Sequence, residues 1–79
     1  MSNADEDEAR KRKAIGRAVR WARREADLTQ AELGAALGIS RDTVIQIESG
    51  RASIRVEQLA RVAELANVQP AVVLARAGL

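Results

Sequence analysis

The stretch Leu28-Thr29-Gln30-Ala31-Glu32-Leu33-Gly34-Ala35-Ala36-Leu37-Gly38-Ile39-Ser40-Arg41-Asp42-Thr43-Val44-Ile45-Gln46-Ile47-Glu48-Ser49-Gly50 decides the fold. Thr29 followed three residues later by Glu32 is a capping-box pattern, in which the hydroxyl serves the backbone N–H of Glu32 and the carboxylate reaches back. A helix therefore starts there, with Leu33 and Leu37 on its inner face. Gly34, Ala35 and Ala36 keep the rest of its surface small enough for another helix to come close. Gly38 breaks it. Ser40 is a good N-cap for a next helix running to about Ser49, and Gly50 is placed to terminate that one. Val44 and Ile47 face inward, so helical geometry turns Arg41, Asp42, Ile45, Gln46 and Ser49 outward.

Outward from this pair the chain reads as helices joined by short turns. Upstream, from about Ala9 to Ala26, Ile15, Ala18, Val19, Ala22 and Ala26 follow the spacing of one helix face. Asp27 tolerates the left-handed conformation that often ends a helix. Downstream, Leu59, Val62, Ala63 and Ala66 mark a helix from about Val56 to Ala66, with Asn67 as its left-handed end. Pro70 suits the first turn of a last helix, Ala71 to about Arg76. Strand-type alternation is missing, so the predicted class is all-α, a compact five-helix bundle. Residues 1 to 8 are expected to be a disordered acidic tail, and residues 9 to 79 the folded domain.

Composition narrows the function. There is no Cys, His or Tyr in the 79 residues, so the commonest nucleophilic and acid–base constellations cannot be assembled; Ser with Lys or paired carboxylates are formally still available, but no enzyme activity is expected. No apolar run approaches membrane-spanning length, and the charged first dozen residues lack the apolar segment of a secretory signal, which points to the cytoplasm. The formal net charge of +2 hides an asymmetry. Asp5, Glu6, Asp7 and Glu8 cluster in the tail. The 8 basic residues between Arg10 and Arg24 have no acid among them. Such a stripe fits a polyanionic partner, or equally a solvated helix face.

Two short helices across a Gly-containing turn are the framework of the helix-turn-helix, whose second helix lies in the major groove of DNA. The motifs Leu28 to Leu33, Gly38-Ile39-Ser40 and Thr43 to Gly50 resemble those of the lambda-repressor-like, or Xre-like, family, and the likeness covers roughly Ile15 to Leu74. The resemblance implies a two-fold dimer on double-stranded DNA, without a cofactor. It implies that Gln30 touches a phosphate and braces the recognition helix, and that Ser40, Arg41, Asp42 and Gln46, with Ile45 beside them, stand at base-reading positions. Gln pairs bidentately with adenine and Arg with guanine, while an apolar group meets a thymine methyl. Asp42 either accepts from cytosine or supports the helix N-terminus. Ser49, Arg51 and Ser53, and more weakly Arg55, follow where relatives contact phosphate. Arg23 and Glu48 match a structural salt bridge between the first helix and the recognition helix.

Ile54 and Arg55 depart from the family pattern, leaving the fourth helix without its common cap. Arg10 to Lys13 either form a DNA-binding arm or extend the first helix. Trp21, the only aromatic, packs against the C-terminal helix or a second subunit. Val72, Val73 and Leu74 make the last helix unusually apolar and are the expected surface for a homodimer. The leading function is a sequence-specific transcriptional repressor. The alternative is a protein-interaction module, such as an antitoxin whose main ligand is a toxin.

Overall fold

The computed structural model describes residues 3–79 and contains five helices: α1 (Ala4–Glu25), α2 (Gln30–Leu37), α3 (Arg41–Glu48), α4 (Val56–Leu65) and α5 (Pro70–Arg76). No strand occurs among the described residues. None of these helices is long and apolar enough to cross a membrane.

α1 reaches back to Ala4, into the stretch expected to be a tail, and residues 1 and 2 of that tail lie outside the described residues. Local electrostatics favour the extension. Asp5, Glu6 and Asp7 occupy the first turn, at the positive end of the helix dipole. Asp7 pairs with Arg10 and Glu8 with Lys11 one turn on, so the acidic and basic runs support one helix. Arg10 to Lys13 accordingly belong to α1.

The core draws on every helix: Ala18, Val19 and Ala22 from α1, Leu33 from α2, Val44 and Ile47 from α3, Val62 and Ala63 from α4, and Val73 from α5. Val73 corrects an expectation. It is 1% exposed, enclosed within the single chain, and so is no part of a surface for self-association. The valine fastens a seven-residue helix to the body, and burial of a side chain of this size contributes about 1.5–3 kcal/mol. Val72, at 39% exposed, stays on the surface. Trp21 packs on the same C-terminal helix, with the Arg76 guanidinium 4.2 Å from its ring centroid.

The turns follow from their residues. Asp27 and Asn67 both take φ 56°, ending α1 and α4 in the left-handed region. Gly38 takes φ 72° between α2 and α3, where a β-carbon would be strained. α4 starts with half a cap: the Arg55 backbone N–H donates to Gln58 Oε1 at 2.9 Å, but the guanidinium has no acceptor to return to the helix.

Candidate nucleic-acid interface

Both α2 and α3 start on a side-chain cap. The Glu32 N–H donates to Thr29 Oγ1 at 3.1 Å, and the Thr29 N–H donates to Glu32 Oε1 at 2.8 Å. Those bonds from the Thr29 backbone and hydroxyl hold the Glu32 carboxyl below its ordinary pKa. At α3, Ser40 Oγ accepts from the Thr43 N–H at 3.1 Å and shares a hydrogen bond with Thr43 Oγ1 at 2.9 Å. Between them α2 presses onto the turn. A β-carbon on Gly34 would lie 2.7 Å from the Ile39 carbonyl oxygen, so a larger residue would push the two helices apart.

With Val44 and Ile47 buried, α3 shows its other side to solvent. Arg41, Asp42 and Ser49 are exposed there, and Ile45 and Gln46 are half-buried beside them. The exposed residues Arg51, Ser53 and Arg55 follow in the connection to α4. The start of that connection is pinned by one acceptor. The Gln46 carbonyl receives the Ser49 hydroxyl at 3.1 Å, the Arg51 N–H at 2.9 Å and the Ala52 N–H at 3.1 Å. Ser40 is exposed at the opposite end of α3, but its hydroxyl is engaged in capping.

Behind this face lies a buried carboxylate. Glu48 is 5% exposed and receives Arg23 Nε at 2.7 Å, Arg23 Nη2 at 3.2 Å, Gln30 Nε2 at 3.1 Å and Arg20 Nε at 3.5 Å. Burial alone would raise the Glu48 pKa, but the bonds from Arg23 and Gln30, the Arg23 charge and the bond from Arg20 outweigh it, and the pKa is lowered. Arg23 also donates Nη1 to the Leu28 carbonyl at 2.9 Å, tying the α1–α2 turn into the same cluster. Gln30 is thus engaged by its amide nitrogen with α3 while sitting at the first position of α2.

Two contacts escaped the sequence reading. Arg20 joins the Glu48 cluster from one turn upstream of Arg23, and Arg12 Nε donates to the Gly50 carbonyl at 3.3 Å just beyond α3. The basic character of both was visible, and the i, i+3 relation of Arg20 to Arg23 was the available signal. Their acceptors are 28 and 38 residues away, however, and depend on where α3 docks. The docking is close. Gly16 faces the carbonyls of Ile47 and Glu48, and a β-carbon there would lie 2.6 Å from the Glu48 oxygen.

A second helix held across a left-handed Gly turn, polar outside and anchored behind by a buried ion pair, defines a helix-turn-helix domain. The helix-turn-helix family model matches residues 19–73, and the chain belongs to this family of DNA-binding transcription regulators. Among solved structures it is similar to two of the clp gene regulator ClgR from Corynebacterium glutamicum, both 32% identical and both covering 86% of this chain. The first has a TM-score of 0.78 over 72% of its own chain, and the second 0.77 over 87%. Comparison with curated proteins gave no match.

Proposed function

We propose that the protein is a cytoplasmic, sequence-specific repressor that binds an operator in double-stranded DNA as a homodimer. One observation carries the reading: α3 turns Arg41 and Asp42 to solvent with the half-buried Ile45 and Gln46 beside them, while Glu48 on its other side is bonded to α1 and α2. A helix held rigidly with its polar side free is suited to the major groove. Gln30 at the start of α2, and Ser49, Arg51, Ser53 and Arg55 beyond α3, flank that face where phosphates run. Asp42 lies in the first turn of α3, where its charge favours the helix dipole whether or not it also meets a cytosine. Repression needs only occupancy of an operator that overlaps a promoter. The likeness to ClgR, a gene regulator by name, supports a regulatory role. For the homodimer, Val72 and Leu74 remain as surface candidates on α5, and two recognition helices would enter half-sites roughly 34–36 Å apart.

The test is fluorescence anisotropy with the gene's own upstream duplex and a scrambled duplex, for wild type and Gln46→Ala. Direct readout predicts that the variant loses about 1–3 kcal/mol on the upstream duplex and nothing on the scrambled one. Equal binding of both duplexes by wild type, with selection from random duplexes also recovering no preferred site, would overturn sequence-specific recognition.

A further inference from the structure

We propose that Lys13, Arg17, Arg20 and Arg24 form a second track for the DNA backbone, on α1 rather than on the helix-turn-helix. The proposal rests on the DNA-binding reading above and extends it to a surface that reading does not use. The four residues are spaced i, i+4, i+7 and i+11, which places them in one narrow sector of a 3.6-residue helix. All four are exposed. The stripe is about 16 Å long at 1.5 Å per residue. That length matches roughly five phosphates of one strand, at 3.4 Å per nucleotide along the duplex axis.

The charge of the stripe is largely unspent. The acidic run at the start of α1 is directed to other residues, Asp7 to Arg10 and Glu8 to Lys11. Among the described residues, Lys13, Arg17 and Arg24 make no ion pair, and Arg20 makes one at 3.5 Å to Glu48. That carboxylate already takes two bonds from Arg23 and one from Gln30, and the Arg20 side chain, 48% exposed and bonded to it through Nε alone, retains donors for another anion. Like charges one turn apart repel, and a polyanion laid along them removes that repulsion.

Position selects duplex DNA over an acidic protein surface. A β-carbon on Gly50 would lie 2.8 Å from the Lys13 Cα, so one end of the stripe abuts the connection that leads to Arg51. Further along, Arg20 shares its carboxylate acceptor with Gln30 of α2. The stripe therefore borders the seam between α1 and the end of α3, next to two of the groups assigned to phosphate. A backbone that runs past Gln30 and Arg51 has a continuous basic path along α1.

The experiment uses the full chain with Lys13, Arg17 and Arg24 all changed to Gln, leaving Arg20 and its bond to Glu48 intact. Anisotropy is followed across salt concentration with the operator duplex and a scrambled duplex, and melting is followed by circular dichroism. Three lost phosphate contacts predict that the slope of log K against log salt becomes shallower by about 2–3. Affinity falls by the same factor for both duplexes, on the order of a hundredfold at about 0.1 M salt. Melting is no lower than in wild type, because the three residues make no ion pair and their loss relieves the repulsion along the stripe. A slope equal to that of wild type overturns the stripe while leaving DNA binding in place, as does a loss confined to the operator. Wild type that binds neither duplex overturns the DNA reading and the stripe together.

Discussion

Arg23 grips Glu48 with two nitrogens, Nε at 2.7 Å and Nη2 at 3.2 Å, across a separation of 25 residues. The carboxylate side chain is 1% exposed and the guanidinium side chain 11%, so this pair sits nearly out of water where α1 crosses α3. Its geometry explains how α3, a helix of only eight residues, keeps its orientation. An isolated helix of that length is unstable in water, and its order comes from tertiary contacts.

Removing one partner of such a pair leaves the other charged, buried and short of bonds, at a cost of about 3–5 kcal/mol. Arg23→Ala is expected to lose that much on urea denaturation and to bind every duplex more weakly, because α3 is then poorly held. Arg20→Ala, which removes a half-exposed partner at 3.5 Å, is expected to cost no more than about 1 kcal/mol. Equal stability losses in the two variants would show that the bidentate bond is not what secures α3.

The same carboxylate sets an acid limit. The Glu48 pKa is lowered in the folded protein, so the unfolded chain takes up its proton at higher pH than the native one does. Its stabilising contribution is complete above the ordinary glutamate pKa and is lost as pH falls through the lower native value. Thermal melts from neutral to acidic pH should therefore show wild type losing stability below about pH 4.5. Glu48→Gln should be less stable at neutral pH but less sensitive to acid. Parallel curves for the two proteins would assign the acid sensitivity to other carboxylates.

Gly16 offers a case in which local propensity and packing oppose one another. In an exposed helix interior, Gly→Ala stabilises by about 1 kcal/mol. In α1 the new methyl would meet the carbonyls of Ile47 and Glu48, which are backbone and cannot rotate away. Overpacking of this kind costs about 1–3 kcal/mol or more, so Gly16→Ala is expected to shift the denaturation midpoint downward and to move α3 relative to α1. A midpoint at or above that of wild type would mean that the helices separate without penalty.

The elements with local causes were the legible ones. Thr29, Gly38, Ser40 and Asn67 mark their helix ends through chemistry contained within four residues, and the boundaries of α2 and α3 follow from them. The start of α1 was harder. An acidic run reads equally as a tail or as a favourable first turn, and the pairs Asp7–Arg10 and Glu8–Lys11 exist only once the helix has formed. Val73 was misjudged because three consecutive apolar residues on a short helix carry no periodicity to say which one turns inward. The docking of α5 on α1 and α4 decides that, and it buries Val73 while leaving Val72 outside. In the site, the Arg23–Glu48 pair was suggested by resemblance. The parts played by Arg20 and Arg12 depend on distances that only the assembled helices define.

Ser40 separates capping from base reading. Its hydroxyl accepts from the Thr43 N–H and is also bonded to Thr43 Oγ1, so its orientation serves the start of α3. Ser40→Ala removes an N-cap worth about 1 kcal/mol, and that loss should appear in denaturation of the free protein. Weaker order at the N-terminus of α3 then lowers affinity for operator and scrambled duplexes alike, and the ratio between them is preserved. Ser40→Asp tests the cause, because aspartate caps as well as serine but brings a negative charge to the groove. It should restore stability while binding both duplexes less tightly, with a steeper penalty at low salt. A change of preferred sequence in Ser40→Ala, with stability intact, would instead make the hydroxyl a reader of bases.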